Sequence, residues 1–447
     1  MLSFPSAPLL RKYKLLLVAP LALLLSACDL EVTATPGGTV TSDPAMINCR
    51  ANSGTCVVRD YEDLDHLYNV SEAQLTAIPD PGYRFAGWAG CDSKKRLQCW
   101  VDLDDDIAVT ATFKPLDYAT GGTPGETLRF VAVGDFGTGA YQQELVANAM
   151  RNVCDGLGGC EFAIGLGDNI YDENPQSPYA DAFVAKFEHP MRRANFPFYM
   201  TLGNHDNSLI IDGIGNFNRT GEVQVEYGNR TDRLTDRWIM PSRYYQHSHP
   251  ASAGAPTATF LALDSNPFMT VFELDMEYWV WYEWQQAQWA RNALASSNAT
   301  WKIAYAHHPY LSNGLHGNAG NYEGVPAVEL FTARFSGETY RRWVKDNICG
   351  KVDLYVSGHD HDLQLLHSIP ECGNTIFMVS GAGAKTRPLE ADQRRNPYMF
   401  QQGDTLGFAI ADIVGNNLTI TFYTVNPQDG QATAAYSQTF KRRARSG

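Results

Sequence analysis

Positive charge is scarce in this chain. Its 447 residues hold 35 lysines and arginines against 49 aspartates and glutamates, a net charge of −14. General binding to nucleic acid needs a basic footprint, so none is expected. The acidity serves to keep the surface solvated. Also missing are the loops that mark two large enzyme classes. There is no Gly-x-Ser-x-Gly elbow for a serine hydrolase. There is no Gly-x-x-x-x-Gly-Lys-Ser/Thr loop to cradle nucleotide phosphates. No two cysteines stand at Cys-x-x-Cys spacing, which speaks against the thiolate metal and redox sites built that way. The N-terminal apolar run, Leu15 to Leu25, is too short to span a bilayer.

That run belongs to a processing signal. Arg11, Lys12 and Lys14 precede it and small residues close it, the parts of a secretory leader. It ends Leu25-Ser26-Ala27-Cys28, which resembles a bacterial lipobox. The resemblance implies a signal over residues 1–27, a lipid on Cys28, and an exported lipoprotein anchored to a membrane in the periplasm or at the cell surface. Cysteine usage agrees with export. Nine cysteines less Cys28 leave an even eight, in neighbouring pairs: 49 and 56, 91 and 99, 154 and 160, 349 and 372. Sequence order does not settle their connectivity, but structural disulfides are expected of an oxidising compartment.

Residues 28–115 and 128–447 differ in pattern. The first segment has short β-prone runs broken by Gly and Pro turns, such as "EVTATPGGTV" and "IAVTATF". It reads as a small all-β domain stapled by disulfides, as small cores often require. The Gly- and Thr-rich stretch 116–127 reads as a linker. Beyond it, "LRFVAV", "EFAIGL", "FPFYMTL", "ATFLAL", "WKIAYA", "VDLYVS" and "TIFMVS" are continuous apolar runs, expected as buried strands. "AYQQELVANAMRNVC" and "EWQQAQWARNALAS" carry helical periodicity, and "GFAIADIV" with "NLTITFYTV" forms a late antiparallel pair. The expected fold is an α/β (α+β) sandwich of two mixed β-sheets flanked by helices.

Polar residues cluster where these runs stop: "GDFG" with Asp135, "GDNIY" with Asp168 and Tyr171, "GNHD" with Asn204, His205 and Asp206, "HHPY" with His307 and His308, and "GHDHDL" with His359 and His361. In open sheets ligands bind outside the carboxyl ends of strands, so five such ends point to one crevice. Carboxylates, a phenol, a carboxamide and imidazoles suit hard to borderline cations such as Fe, Mn and Zn. The donors exceed one tetrahedral site and fit two six-coordinate ions sharing a carboxylate. In extended chain, residues two apart face one side, so His359 and His361 can share one target or serve two neighbouring ones, while Asp360 and Asp362 point the other way.

The series Gly-Asp, Gly-Asp-x-x-Tyr, Gly-Asn-His-Asp, His and Gly-His-x-His resembles that of the calcineurin-like metallophosphoesterases, and within them the purple acid phosphatases of the small tartrate-resistant type. The match runs from about Phe130 to Gly383. Where many members carry Asp-x-His, this chain has Gly137 two residues after Asp135, and it gains Tyr171 three after Asp168. His316 stands nine residues after His307, as in the small enzymes. "RWIMPSRYY" and "SGAG" also look like their counterparts. The first segment resembles the secreted bacterial repeat domains related to internalin B-repeats, through Gly38 to Val40, Ala77 to Trp88 and Val109 to Phe113. It reads as a spacer or adhesive module, with possible surface or polysaccharide contact.

The resemblance implies a dinuclear metal centre. Fe(III) takes Asp135, Asp168, Tyr171 and His361. A divalent ion (Fe, Zn or Mn) takes Asp168, Asn204, His307 and His359, with Asp168 shared and His308 left aside. It further implies cleavage of phosphate monoesters by a metal-bound hydroxide, with His205 and His316 as proton donors and Asp206 orienting His205. A phosphodiesterase or nucleotidase on the same fold is the alternative, with Asn207 to Arg237 and the aromatic "MEYWVWYEW" shaping a larger pocket. The aromatics also suit plain packing over a sheet edge or helix face. A surface adhesin with an inert metal domain is the reading from another class, and the complete donor set argues against it.

Overall fold

A computed structural model describes residues 29–442 apart from 44, 52, 60–71, 80–82, 96–97, 104–105, 116–126, 210, 251–254, 271–277, 279, 325–329 and 391–395. The signal segment, Cys28 and nearly all of the linker lie outside the described residues. So does part of the aromatic segment 276–284. No helix among the described residues is long and apolar enough to cross a membrane.

The N-terminal domain is all strand. In Leu30–Ala34, Leu30, Val32 and Ala34 are buried and the residues between face outward, the period-two pattern of a half-buried strand. Leu30–Ala34 pairs in parallel with Ile107–Pro115, so the first and last strands of the domain lie side by side. A six-stranded sheet runs Ser53–Thr55, Asn48–Arg50, Gly38–Asp43, Glu72–Pro79, Gln98–Asp102, Ser93–Lys95. The core between the sheets is small, with Val40, Leu75, Phe85, Trp88, Val101 and Phe113 among its members. Disulfides Cys49–Cys56 and Cys91–Cys99 staple it.

The larger domain has two seven-stranded mixed sheets face to face. In the first, Trp238–Ile239, Phe198–Met200, Phe162–Gly165 and Leu128–Val133 run parallel, and Leu406–Val414, Asn417–Val425 and Ala432–Lys441 continue it antiparallel. In the second, Ala258–Ala262, Trp301–Tyr305, Leu354–Ser357 and Ile376–Ser380 run parallel, and Tyr245–His249, Leu363–Leu366 and Tyr398–Gln402 are antiparallel additions. Strands inside such a sandwich are covered on both faces, hence their continuous apolar runs. Phe130 and Phe162 of the first sheet meet Phe260 of the second edge-on at 5.0 and 5.3 Å, marking the core. The helix Tyr141–Gly156 turns Leu145, Val146, Ala149 and Met150 inward at helical spacing. The helices Val280–Ser296 and Glu338–Asn347 cover the second sheet through Ala290, Leu294, Tyr340 and Val344. The aromatic segment divides its duties: Tyr278 and Tyr282 are buried, whereas Trp281 and Trp284 are 71% and 54% exposed. Cys154–Cys160 and Cys349–Cys372 close two local loops.

The strand Tyr245–His249 carries two half-buried imidazoles away from the crevice. His247 stacks on Tyr199 and Phe260, with centroids at 3.8 and 4.9 Å, and its Nδ1 lies 2.9 Å from Nε2 of His249. Burial holds both neutral, with His249 pushed down to about 3 and His247, beside it, well below its ordinary range. The unfolded chain binds these protons near pH 6.5 and the folded chain does not. Stability is therefore full above that pH and falls as pH drops below it, by up to about 1.4 kcal/mol per pH unit for each histidine. Thermal melts from pH 7 to 5 are expected to show a falling Tm, with a shallower slope in His249→Phe. An equal slope in both would contradict this assignment.

Candidate metal centre

Six of the seven predicted ligands stand just past the carboxyl end of a parallel strand, and Tyr171 lies three residues beyond Asp168. Asp135 follows Leu128–Val133, Asp168 follows Phe162–Gly165 and Asn204 follows Phe198–Met200, all in the first sheet. His307 follows Trp301–Tyr305, and His359 and His361 follow Leu354–Ser357, in the second. The two sheets end together, so six loop residues from distant stretches meet at one rim. A backbone bond ties the halves: the His359 N–H donates to Asp135 Oδ2 at 2.9 Å.

Asp135, Asp168 and His359 hold φ of 58°, 53° and 68°, left-handed conformations that cost a non-glycine residue on the order of 1 kcal/mol or more. The surrounding loops impose that conformation. Glycines precede the ligands because the backbone passes directly against them. A Cβ on Gly358 would sit 2.5 Å from Asp135 Oδ2, and one on Gly203 would overlap the Asp168 carboxylate. Gly137 explains the exchanged motif. Tyr171 N–H donates to the Gly137 carbonyl at 2.9 Å, and a Cβ at 137 would collide with the Asn169 carbonyl. The packing that brings Tyr171 in closes the space a side chain at 137 would need.

The donors fall into two groups. Tyr171 Oη donates to Asp135 Oδ1 at 3.2 Å, and His361 Nε2 lies 3.4 Å from each of these two oxygens. The acceptor atoms of Asp135, Asp168 and His361 all lie within 4.8 Å of one another. In the second group, His307 Nε2 lies 2.8 Å from Asn204 Oδ1, 3.1 Å from His359 Nδ1 and 3.5 Å from Asp168 Oδ1. Asp168 therefore faces both. His307 Nδ1 is 2.8 Å from the Leu166 carbonyl, an acceptor, so the ring proton sits there and Nε2 carries a lone pair. Asn204 Nδ2 donates to the Gly213 carbonyl at 2.8 Å, which turns Oδ1 inward. Lone pairs of an imidazole, a carboxamide and a carboxylate thus converge with few protons between them, the arrangement a cation satisfies.

Electrostatics point the same way. Burial, then the carboxylates of Asp135 and Asp168, holds the Tyr171 phenol well above its ordinary range. Only a highly charged cation beside it would make the phenolate. Burial likewise raises Asp135, with Asp168 adding repulsion against the pull of His307. Burial and the neighbouring imidazoles of His316, His308 and His307 keep His359 neutral. His361 is pushed down to about 3 by burial and then Arg387. Neutral imidazoles are the form that ligates metal. The residues present fit a dinuclear centre.

His308 joins the group by distance, its acceptor lying within 4.8 Å of those of His307 and His359. Its Nδ1, however, lies 2.8 Å from Ser265 Oγ, which also accepts the His308 backbone N–H at 3.2 Å.

Two expectations about proton transfer change. Asp206 does not orient His205. Its carboxylate accepts the backbone N–H groups of Asn169, Ile170 and Gly203 at 3.0, 3.1 and 2.8 Å, and the Gln224 amide at 2.6 Å. It ties "GDNIY" to "GNHD". His205–Asn207 is a 3₁₀ turn, and successive side chains of such a turn point about 120° apart. The residue that holds His205 is Asp212, whose Oδ2 lies 2.7 Å from Nδ1. Burial alone would lower His205, but the charge of Asp168 and the bond and charge of Asp212 raise it. Its Nε2 faces the centre, 3.9 Å from Asp168 Oδ2. His316 stacks on His359 at 4.0 Å. Its Nδ1 meets Glu323, and its Nε2 takes a hydrogen bond from the Arg387 guanidinium. Arg carries no acceptor, so Nε2 of His316 is the accepting atom and offers no proton to the crevice in this arrangement. Asp360, read as pointing away, accepts the His316 N–H at 2.8 Å and so positions that segment.

Sequence reasoning missed Asp212, Glu323, Lys385 and Arg387. Asp212, Lys385 and Arg387 lie on irregular loops and Glu323 in the short 3₁₀ turn Tyr322–Gly324, and none belongs to a motif of fixed spacing. Asp212 is the one acidic residue between Asp206 and Glu222, and that is the only signal it offered.

The two mixed sheets and the candidate metal donors at their rim are those expected of a metallophosphoesterase, and comparison with known proteins agrees. Residues 128–363, more than half the chain, match the Calcineurin-like phosphoesterase family, and this chain belongs to it. Residues 28–117 match the Divergent InlB B-repeat domain. Among this chain's curated relatives are purple and tartrate-resistant acid phosphatases. Purple acid phosphatase 4 of Arabidopsis thaliana is 26% identical over 319 residues, 68% of this chain and 82% of that protein. Tartrate-resistant acid phosphatase type 5 of Homo sapiens is 26% identical over 330 residues, 68% of this chain and 89% of that one. Among solved structures, GAP50, described as the anchor in the inner membrane complex of Plasmodium, superposes with a TM-score of 0.53 at 19% identity, covering 72% of this chain and 90% of that one. It shows the fold alone.

Proposed function

We propose that this protein is an acid phosphatase acting on phosphate monoesters through a dinuclear centre of Fe(III) and a divalent ion. The convergence of Asp135, Asp168, Tyr171 and His361 beside Asn204, His307 and His359 carries the reading. Such a pair supplies Lewis acidity toward the phosphoryl oxygens and lowers the pKa of water. Held by these donors, the cations would also let an acidic chain receive an anion, since local site charge outweighs net charge. The chain's own part is placement. Asp168 stands between the two donor groups and fixes their separation. His205, aimed by Asp212, holds a proton at Nε2 for the departing alkoxide. His316 lines the opposite wall, stacked on His359.

Metal analysis of the purified chain is the first test, with two ions expected, one of them iron. Faster turnover of aryl phosphate monoesters than of diesters at acidic pH is expected; the reverse order favours the diesterase reading. Tyr171→Phe is expected to abolish the visible absorption of the iron-loaded protein, and a retained band would remove Tyr171 from the ligand set. His205→Ala is expected to lower kcat on alkyl phosphates by about 10²–10⁴, and Asp212→Asn by about 10–100-fold. Both losses shrink on aryl phosphates, whose leaving groups need no proton. Equal losses on both substrate types would deny His205 the acid role.

A further inference from the structure

The loop after the strand Ile376–Ser380 reads Gly381-Ala-Gly-Ala-Lys-Thr-Arg-Pro388, and it carries two cations to the mouth of the centre. Its path is pinned to the ligand loops. Gly381 N–H donates to the Asp362 carbonyl at 3.1 Å, Gly383 N–H to that of Gly134 at 3.1 Å and Arg387 N–H to that of His361 at 3.0 Å. A Cβ on Gly381 would lie 2.7 Å from Asp135 Oδ2, so the loop touches the site directly. Lys385 and Arg387 are half-buried, and Thr386 between them is exposed, the alternation of an extended stretch with one face to the crevice.

Among the described residues neither cation has an acidic partner. Lys385 Nζ sits 3.5 Å from the centroid of the Tyr171 ring. Among the described residues it makes no hydrogen bond or ion pair. The Arg387 side chain has one hydrogen-bond partner there, the imidazole of His316. Other sheltered cations of the same domain are matched: Arg237 with Glu188 at 3.0 Å, Arg243 with Asp264 at 2.7 Å, Arg334 with Glu283, and Arg341 with Glu338 at 2.6 Å. In a chain with surplus carboxylates, two half-buried cations that no described carboxylate pairs are suited to receive an anion. A half-buried ammonium and a mostly unused guanidinium fork suit phosphate oxygens.

We infer that Lys385 and Arg387 form a second anion subsite beside the dinuclear centre, selecting substrates that carry a further phosphate next to the scissile one, as diphosphate esters and phosphoanhydrides do. The inference rests on the phosphatase reading: the scissile group faces the metal donors, and the neighbouring phosphate lies against this loop. It sets a preference among phosphate compounds, which the donor set alone does not.

The test uses the metal-loaded full chain and two non-hydrolysable probes, methylenediphosphonate and methylphosphonate, with Kd read by calorimetry. The wild type is expected to bind the diphosphonate at least about tenfold more tightly. Lys385→Gln with Arg387→Gln is expected to shrink that ratio about tenfold or more, and Lys385→Arg to keep it. No preference in the wild type, or an equal loss for both probes in the double variant, overturns the subsite. An unchanged ratio in the double variant does so too. Turnover of phenyl phosphate and pyrophosphate is measured alongside. Failure on both substrates by a chain holding two ions defeats the phosphatase reading. Turnover without a binding preference defeats the subsite alone.

Discussion

Replacing Asp168 by alanine is expected to lower kcat on phosphate monoesters by about three orders of magnitude or more, and to leave at most one tightly held ion per chain. The residue is 1% exposed and faces both donor groups, with Oδ1 3.5 Å from His307 Nε2 and receiving the His205 N–H at 3.0 Å. Charge stabilisation by bound cations is worth several kcal/mol of barrier, and each 1.36 kcal/mol is tenfold. Asp168 faces both donor groups, so its loss would remove the anion that two neighbouring cations would need between them. Steady-state kinetics with metal content on the same preparation checks both halves. Full activity with two bound ions would mean that the shared position belongs to another residue.

The second large effect concerns stability. Arg243→Met is expected to destabilise the catalytic domain by about 3–5 kcal/mol, the cost of breaking a buried ion pair from one side. Arg243 is 5% exposed and Asp264 wholly buried. Its Nε donates to Asp264 Oδ2 at 2.7 Å, Nη1 to the Asn218 carbonyl at 2.6 Å and Nη2 to Asn207 Oδ1 at 2.8 Å. Tyr282 Oη also donates to Asp264 Oδ2, at 2.7 Å, while Oδ1 has no partner among the described residues. Without the guanidinium that carboxylate stays buried and uncompensated. Because Asn207 in turn donates to the Gly203 carbonyl at 2.7 Å, the loss reaches the turn that carries Asn204 and His205. Chemical denaturation measures the first effect and metal affinity the second. Adding Asp264→Leu removes the stranded charge and is expected to restore much of the stability. A single variant as stable as the wild type would show that the pair contributes nothing net.

The same buried network shows where reading the chain stops. "PSRYY" was legible as a family stretch, yet nothing in its spacing says that Arg243 reaches Asn207, 36 residues away. The edge strands Tyr245–His249, Tyr398–Gln402 and Ala432–Lys441 were also not read. Their residues are partly exposed, so no continuous apolar run announces them. The helix Glu338–Asn347 carries an amphipathic face but is rich in charge, and it settles on the second sheet through Tyr340 and Val344. The central strands were read because burial on both faces leaves a compositional mark.

What the sequence determined by itself is the set of donors and their place at strand ends. A glycine, then an aspartate or histidine, after a buried apolar run is a local pattern, and its chemistry needs no partner to be recognised. What only the tertiary structure decided is which side chains act on which. Asp206 and Asp212 both follow His205 closely. A 3₁₀ turn sends Asp206 down to the backbone of residues 169, 170 and 203, and a loop returns Asp212 to the imidazole. Lys385 and Arg387 read as ordinary surface cations until the loop after Ile376–Ser380 is pinned over Tyr171 and His316. Side-chain direction in turns and loops follows from backbone dihedrals and long-range packing. Sequence spacing encodes direction only where a helix or a strand imposes its period.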